Sequence, residues 1–196
     1  RVVRKRTEFD TTWVLAALAA QGLVTPEQCG EVRAKEISTR ARLVRERGGQ
    51  RKRYEVSPVE LVAAFGFPVP NRQGLVLDED KVSEVCAQKA GVPYLKIDPL
   101  KLDMALITRT LSRPFASRHA VMPMEKREDG LLVAVDNPFD GELFENLRSL
   151  AGCEIRPVLS AKADILKAIE HVYGFRRSVA AAVEVHQGGG ELSNFE

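Results

Sequence analysis

The chain has 196 residues, 44% of them hydrophobic and 29% charged, with a formal net charge of +2. That length holds one large domain or two small ones with real cores, and the composition is that of an ordinary globular chain. No apolar run approaches the roughly 18 residues that span a bilayer. The longest, Trp13–Ala20, is short and alanine-rich, and Glu8 and Asp10 interrupt the stretch behind the basic RVVRKR start, against a signal peptide. Cys29, Cys86 and Cys153 are odd in number and far apart, which excludes a CxxC zinc site or a disulfide framework and reads as reduced, buried thiols in a cytoplasmic setting.

The first part of the chain reads as helical. Thr11 or Thr12 caps a helix through Gln21, with Gly22 at its C-terminal end. Thr25-Pro26-Glu27-Gln28 carries a capping threonine, a first-turn proline and a glutamine three residues after the cap, and starts a second helix to Lys35 or beyond. The stretch Arg40–Arg53 then holds seven basic residues, Arg40, Arg42, Arg45, Arg47, Arg51, Lys52 and Arg53, against the single acid Glu46. Gly48-Gly49 in its middle reads as a loop. A third helix is expected from Ser57-Pro58 to Gly66, an irregular connector from Phe67 to Gly74, and a fourth helix from the Asp78 cap to Ala90, stopped by Gly91.

From Val92 the pattern alternates. Strands are predicted at Tyr94–Ile97, Ala120–Met124, Leu131–Val135 and Ile155–Leu159, with helices at Asp103–Leu111, Asp140–Leu150 and Ala161–Tyr173. Glu128-Asp129-Gly130 is a turn, and Asp136-Asn137-Pro138 reads as turn chemistry. The fold class is therefore α+β (α/β): a helical N-terminal subdomain over 1–90, and a small α/β subdomain over 91–174 with helices packed on a short mixed sheet. The stretch 175–196 reads as a flexible linker.

Catalytic constellations are missing from the sequence. His119, His171 and His186 have no metal-ligand spacing, and Gly188-Gly189-Gly190 lacks the lysine and threonine of a phosphate-cradling loop. No GxSxG, paired-carboxylate or Cys/His pattern stands out. The expectation is a non-enzymatic segment with no metal.

The phrases Gly91-Val92-Pro93-Tyr94, Asp129-Gly130-Leu131-Leu132-Val133-Ala134-Val135-Asp136-Asn137-Pro138 and Tyr173-Gly174 stand in an order and spacing that resemble the N-terminal regulatory region of the ATPases driving type II secretion and type IV pilus assembly. The resemblance implies that the ATPase engine, with its ATP, lies beyond Glu196. It further implies a cytoplasmic module peripheral at the inner membrane, touching its own ATPase domain and docking onto the cytoplasmic domain of an inner-membrane anchor. Contact with the membrane is then only indirect, and no nucleic acid is expected.

Members of the family that sense cyclic di-GMP carry two copies of a motif resembling RLGxxLxxxGLIxxxQLxxALxxQ. Leu18, Gly22, Leu23, Val24 and Gln28 match the first copy, but Trp13, Leu15 and Glu36 occupy its arginine, glycine and final glutamine positions. In the second, Ser57 and Val59 replace arginine and glycine, leaving Leu61 and Gly66, with Gln88 near its end. A cyclic dinucleotide needs guanidinium groups for its phosphates and close backbone approach for its bases. These losses favour docking, through Trp13, Leu23 and Val24, over a cyclic di-GMP sensor. A third reading, a basic nucleic-acid-binding helical module through Arg40–Arg53, lacks a stacking platform, since Tyr54 is the one aromatic nearby.

Overall fold

In the computed structural model, residues 8–47 and 55–174 are described. Arg51, Lys52, Arg53 and the expected linker 175–196 lie outside them. Helix α1 spans Thr11–Ala20, capped by Asp10 rather than by a threonine: Trp13 N–H donates to Asp10 Oδ1 at 2.7 Å. Gly22, at φ +66°, turns the chain, and Leu23 N–H reaches back to Leu18 O. Helix α2, Pro26–Glu46, starts on the expected Thr25/Gln28 capping box. It continues well past Lys35 because Glu31–Lys35, Glu36–Arg40 and Arg42–Glu46 form i,i+4 ion pairs along it. The first half of the expected basic loop is therefore helix.

Helix α3, Pro58–Ala63, begins on a Ser57/Glu60 capping box, and the connector after it folds back on itself, Leu77 N–H donating to Phe67 O. Helix α4, Glu79–Ala90, has the expected Asp78 cap and stops at Gly91. The strand expected at Tyr94–Ile97 shrinks to one parallel bridge, Tyr94 to Leu159, before a 3-10 turn at Pro99–Lys101. Helix α5 is Met104–Thr110. Helix α6, Arg113–His119, was not expected, although Ser112 caps it and Pro114 stands in its first turn.

Strand β1, Val121–Arg127, pairs antiparallel with β2, Gly130–Val135, and β2 pairs parallel with β3, Ile155–Leu159, across helix α7, Gly141–Ala151. The sheet is thus mixed, as predicted. Gly130 sits where any side chain is forbidden: a Cβ there would lie 2.4 Å from Glu154 O. The last helix, α8, covers 162–174. Its Tyr173 hydroxyl donates to Leu111 O at 2.5 Å, which ties the tyrosine–glycine end of the helix to the end of α5.

Buried side chains gather in two clusters. One holds residues of α1–α4 and of the connector before α4, such as Leu15, Leu18, Val62, Leu77 and Val85; the other holds Ile107, Met122, Leu131, Val133, Leu147, Ile165 and Ile169 around the sheet. Leu159 of β3 belongs to the helical cluster, so the sheet's edge strand is where the two cores touch.

Candidate functional site

Helices α1–α2 carry the first degenerate motif and α3–α4 the second. Their apolar positions are core: Leu18 and Leu61 are fully buried, and Leu23 and Val24 are buried as well. Leu23 and Val24 therefore do not present a docking face. They belong to the helical core, because the turn at Gly22 swings both inward. Leu15, at the glycine position, is 1% exposed and part of the helical core.

The polar motif residues are engaged in local structure. Gln28 Oε1 accepts Thr25 N–H at 2.8 Å and Nε2 donates to Pro68 O at 3.3 Å. Glu36 accepts the Thr11 hydroxyl at 2.7 Å and pairs with Arg40. Gly66, at φ +58°, and Gly22 are exposed turn residues. Gln21 Nε2, at the end of α1, donates to Gln88 Oε1 on α4 at 2.7 Å, which joins the two motifs at the surface.

Of the three docking candidates, Trp13 alone keeps exposed area. Its ring lies edge-on to Phe9 and Phe139, each with centroids 5.3 Å away, and Lys89 Nζ stands 4.9 Å over it. Phe139 is brought there by the turn after β2, where Phe139 N–H donates to Asn137 Oδ1. Phe9, Lys89 and Phe139 were not singled out from the sequence; nothing in their spacing announces that α1, α4 and the β2–α7 turn converge.

The basic run is divided. Arg40 donates to Val56 O at 2.6 Å, and Arg47 pairs with Glu60, so both are drawn toward α3. Arg42 and Arg45 face solvent.

A second constellation, not foreseen, lies where the two cores meet. Lys162, at the start of α8, is 7% exposed. Its Nζ donates to Glu55 O at 2.6 Å and stands 3.4 Å from Asp136 Oδ2 and 3.9 Å from Glu60 Oε2. Burial raises the Asp136 carboxyl above the usual range, with Lys162 opposing that rise. Glu79, the first residue of α4, accepts Ala163 N–H at 3.0 Å and so caps α8 from across the junction. Burial pushes its carboxyl up to about 7 against those hydrogen bonds. Lys96 bridges Asp80 at 2.5 Å and Asp164 at 2.6 Å, and Tyr94 donates to Asp80. A cleft of about 370 Å³ lies alongside, lined by Leu43, Glu46, Arg47, Glu60, Ala63, Ala64 and Glu79. Lys162 meets Asp136 and Glu60, Lys96 meets Asp80 and Asp164, and Glu79 accepts a backbone N–H; no nucleophile–base pair is formed among them. Among the described residues no group of three His, Cys, Asp or Glu is placed to hold a metal, and no helix is long and apolar enough to cross a membrane.

Residues 90–179 match the MshEN domain family. The type IV pilus assembly ATPase TfpB of Acinetobacter baylyi is 27% identical over 174 residues, which is 88% of this chain but 28% of that protein. The fold is shared with a structure of MshE with cdg (cyclic di-GMP), at TM-score 0.56 and 16% identity over 82% of this chain and 98% of that one. It is shared too with the N-terminal domain of XpsE, at TM-score 0.50 and 18% identity over 84% and 96%. Residues 90–179 thus resemble the MshEN domain, the fold is that of the MshE and XpsE N-terminal domains, and the sequence is similar to the first part of type IV pilus assembly ATPases.

Proposed function

We propose that this chain is a non-catalytic docking and regulatory region of a secretion or pilus-assembly ATPase. Residues 1–90 and 91–174 are its two subdomains, and 175–196 links them to a motor outside the chain. It works in the cytoplasm, peripheral at the inner membrane, binding the cytoplasmic domain of an inner-membrane anchor and positioning the motor. The observation that carries this reading is the surface at Phe9, Trp13, Phe139 and Lys89, a partly exposed aromatic group with a cation over it and the one former motif position that offers an anchor. Aromatic side chains with a polar rim are the side chains that dominate protein interfaces. Trp13→Ala is expected to weaken binding to the anchor's cytoplasmic domain at least about tenfold while the chain still folds. Unchanged affinity would overturn the role given to this surface.

A second reading, a cyclic di-GMP sensor, is favoured by one observation: the shared fold with MshE, whose structure holds that nucleotide. Against it stand the buried Leu15, Trp13 packed edge-on between two phenylalanines, and the engaged Glu36. A ligand that binds the folded state at 100 times its Kd stabilises it by about 2.7 kcal/mol. A melting-temperature rise of several degrees with cyclic di-GMP would restore the sensor; no shift would remove it.

A further inference from the structure

Helix α2 is a 21-residue helix with three buried residues, Cys29, Val32 and Thr39. On the side turned away from them, Gly30, Ala34, Ile37, Ala41 and Val44 recur at three- and four-residue spacing and make one uncharged stripe. Ile37, near the middle of the helix, is 87% exposed, and Val44 is exposed too. An isoleucine so open on a regular helix is a contact waiting for an apolar counterpart.

Charge along α2 says what the counterpart is. The first half carries Glu27, Glu31 and Glu36 against Arg33 and Lys35; the second carries Arg40, Arg42 and Arg45 against Glu46. A second α2 laid antiparallel, with its two-fold axis at Ile37, brings acidic half onto basic half and opposes the helix dipoles. Gly30 then meets Val44 of the other copy, and Ala34 falls within one residue of Ala41, small residues that let the backbones approach. At 100° per residue, Glu27, Glu31 and Arg45 share one flank of the stripe. The antiparallel arrangement puts Arg45 of one copy beside Glu27 and Glu31 of the other. On the opposite flank Arg33 faces Arg40, whose charge is already met by Glu36 and whose side chain turns inward to Val56 O. We infer that the outer face of α2 is a self-association surface, on which two copies of this chain pack antiparallel about Ile37.

One helix pair buries less than a stable dimer needs, so the expected dissociation constant is on the order of 100 µM. Sedimentation velocity of the whole chain from about 10 µM to about 1 mM reads it. The expected result is a reversible dimer that Ile37→Asp weakens more than about tenfold, with unchanged circular dichroism and melting temperature because Ile37 touches no core. Arg45→Glu is expected to weaken the dimer, and Glu27→Arg with Glu31→Arg added to it to restore the dimer, since the reversal re-pairs only an antiparallel register. A monomer at the top of that range overturns the inference, and if that monomer binds vesicles containing phosphatidylserine, the face belongs to a membrane. A dimer indifferent to Ile37→Asp, or one that the triple reversal fails to restore, overturns it equally.

Discussion

Glu79 shows how a single side chain can join two cores and keep a pH dependence. Its carboxylate caps α8 through Ala163 N–H, which favours the charged form, while burial favours the neutral one and dominates. With the folded-state value raised from 4.5 to about 7, the folded protein holds the proton more tightly than the unfolded chain. Stability from this group is therefore complete below about pH 4.5 and is lost as the pH rises through 7, by at most about 3 kcal/mol. Glu79→Gln keeps an oxygen for Ala163 N–H and cannot titrate. Relative to the parent it is expected to gain stability steadily between pH 5 and 8 in urea unfolding; a difference constant with pH would show that Glu79 is not the titrating group. Lys162 makes the complementary point. Lys162→Met leaves Asp136 buried without its cation, with an expected loss of about 3 kcal/mol. Asp136→Asn added to it should recover part of that loss, and a purely additive double variant would deny the pairing.

At the scale of elements, caps and stops were written plainly. Thr25 with Gln28, Asp78 with Gly91, and Asp140 with Gly152 mark their helices by local hydrogen bonding and left-handed glycine geometry, which need nothing distant. The three strands were legible from their apolar runs, although β1 runs on to Arg127 through charged residues that only a hairpin partner justifies. What sequence could not give was tertiary. Tyr94–Ile97 has strand-forming residues but meets β3 at one bridge before Pro99 redirects it. Leu23 and Val24 looked like docking residues because a turn residue's burial depends on where the turn aims. The Lys162 cluster draws on four separate segments, so no local spacing foretells it. Within the hairpin, Gly130→Ala forces a Cβ against Glu154 O and is expected to destabilise by about 2 kcal/mol, measured by thermal unfolding; a neutral effect would mean the β2–β3 entry can shift.

Over the whole molecule, Leu159 lies in the helical core while its strand belongs to the sheet, and Lys162 and Glu79 cross the same junction. The two cores are accordingly expected to unfold in one transition, with calorimetric and van't Hoff enthalpies in agreement; two resolved transitions would make them independent. On the proposed docking reading, that coupling would relate a partner held at Trp13 to α8 through one continuous body. The test of that account is calorimetric titration of this chain with the cytoplasmic domain of the inner-membrane anchor, with and without about 100 µM cyclic di-GMP. The account expects binding tighter than about 100 µM, unchanged by the nucleotide. No binding, or binding that requires the nucleotide, would contradict it.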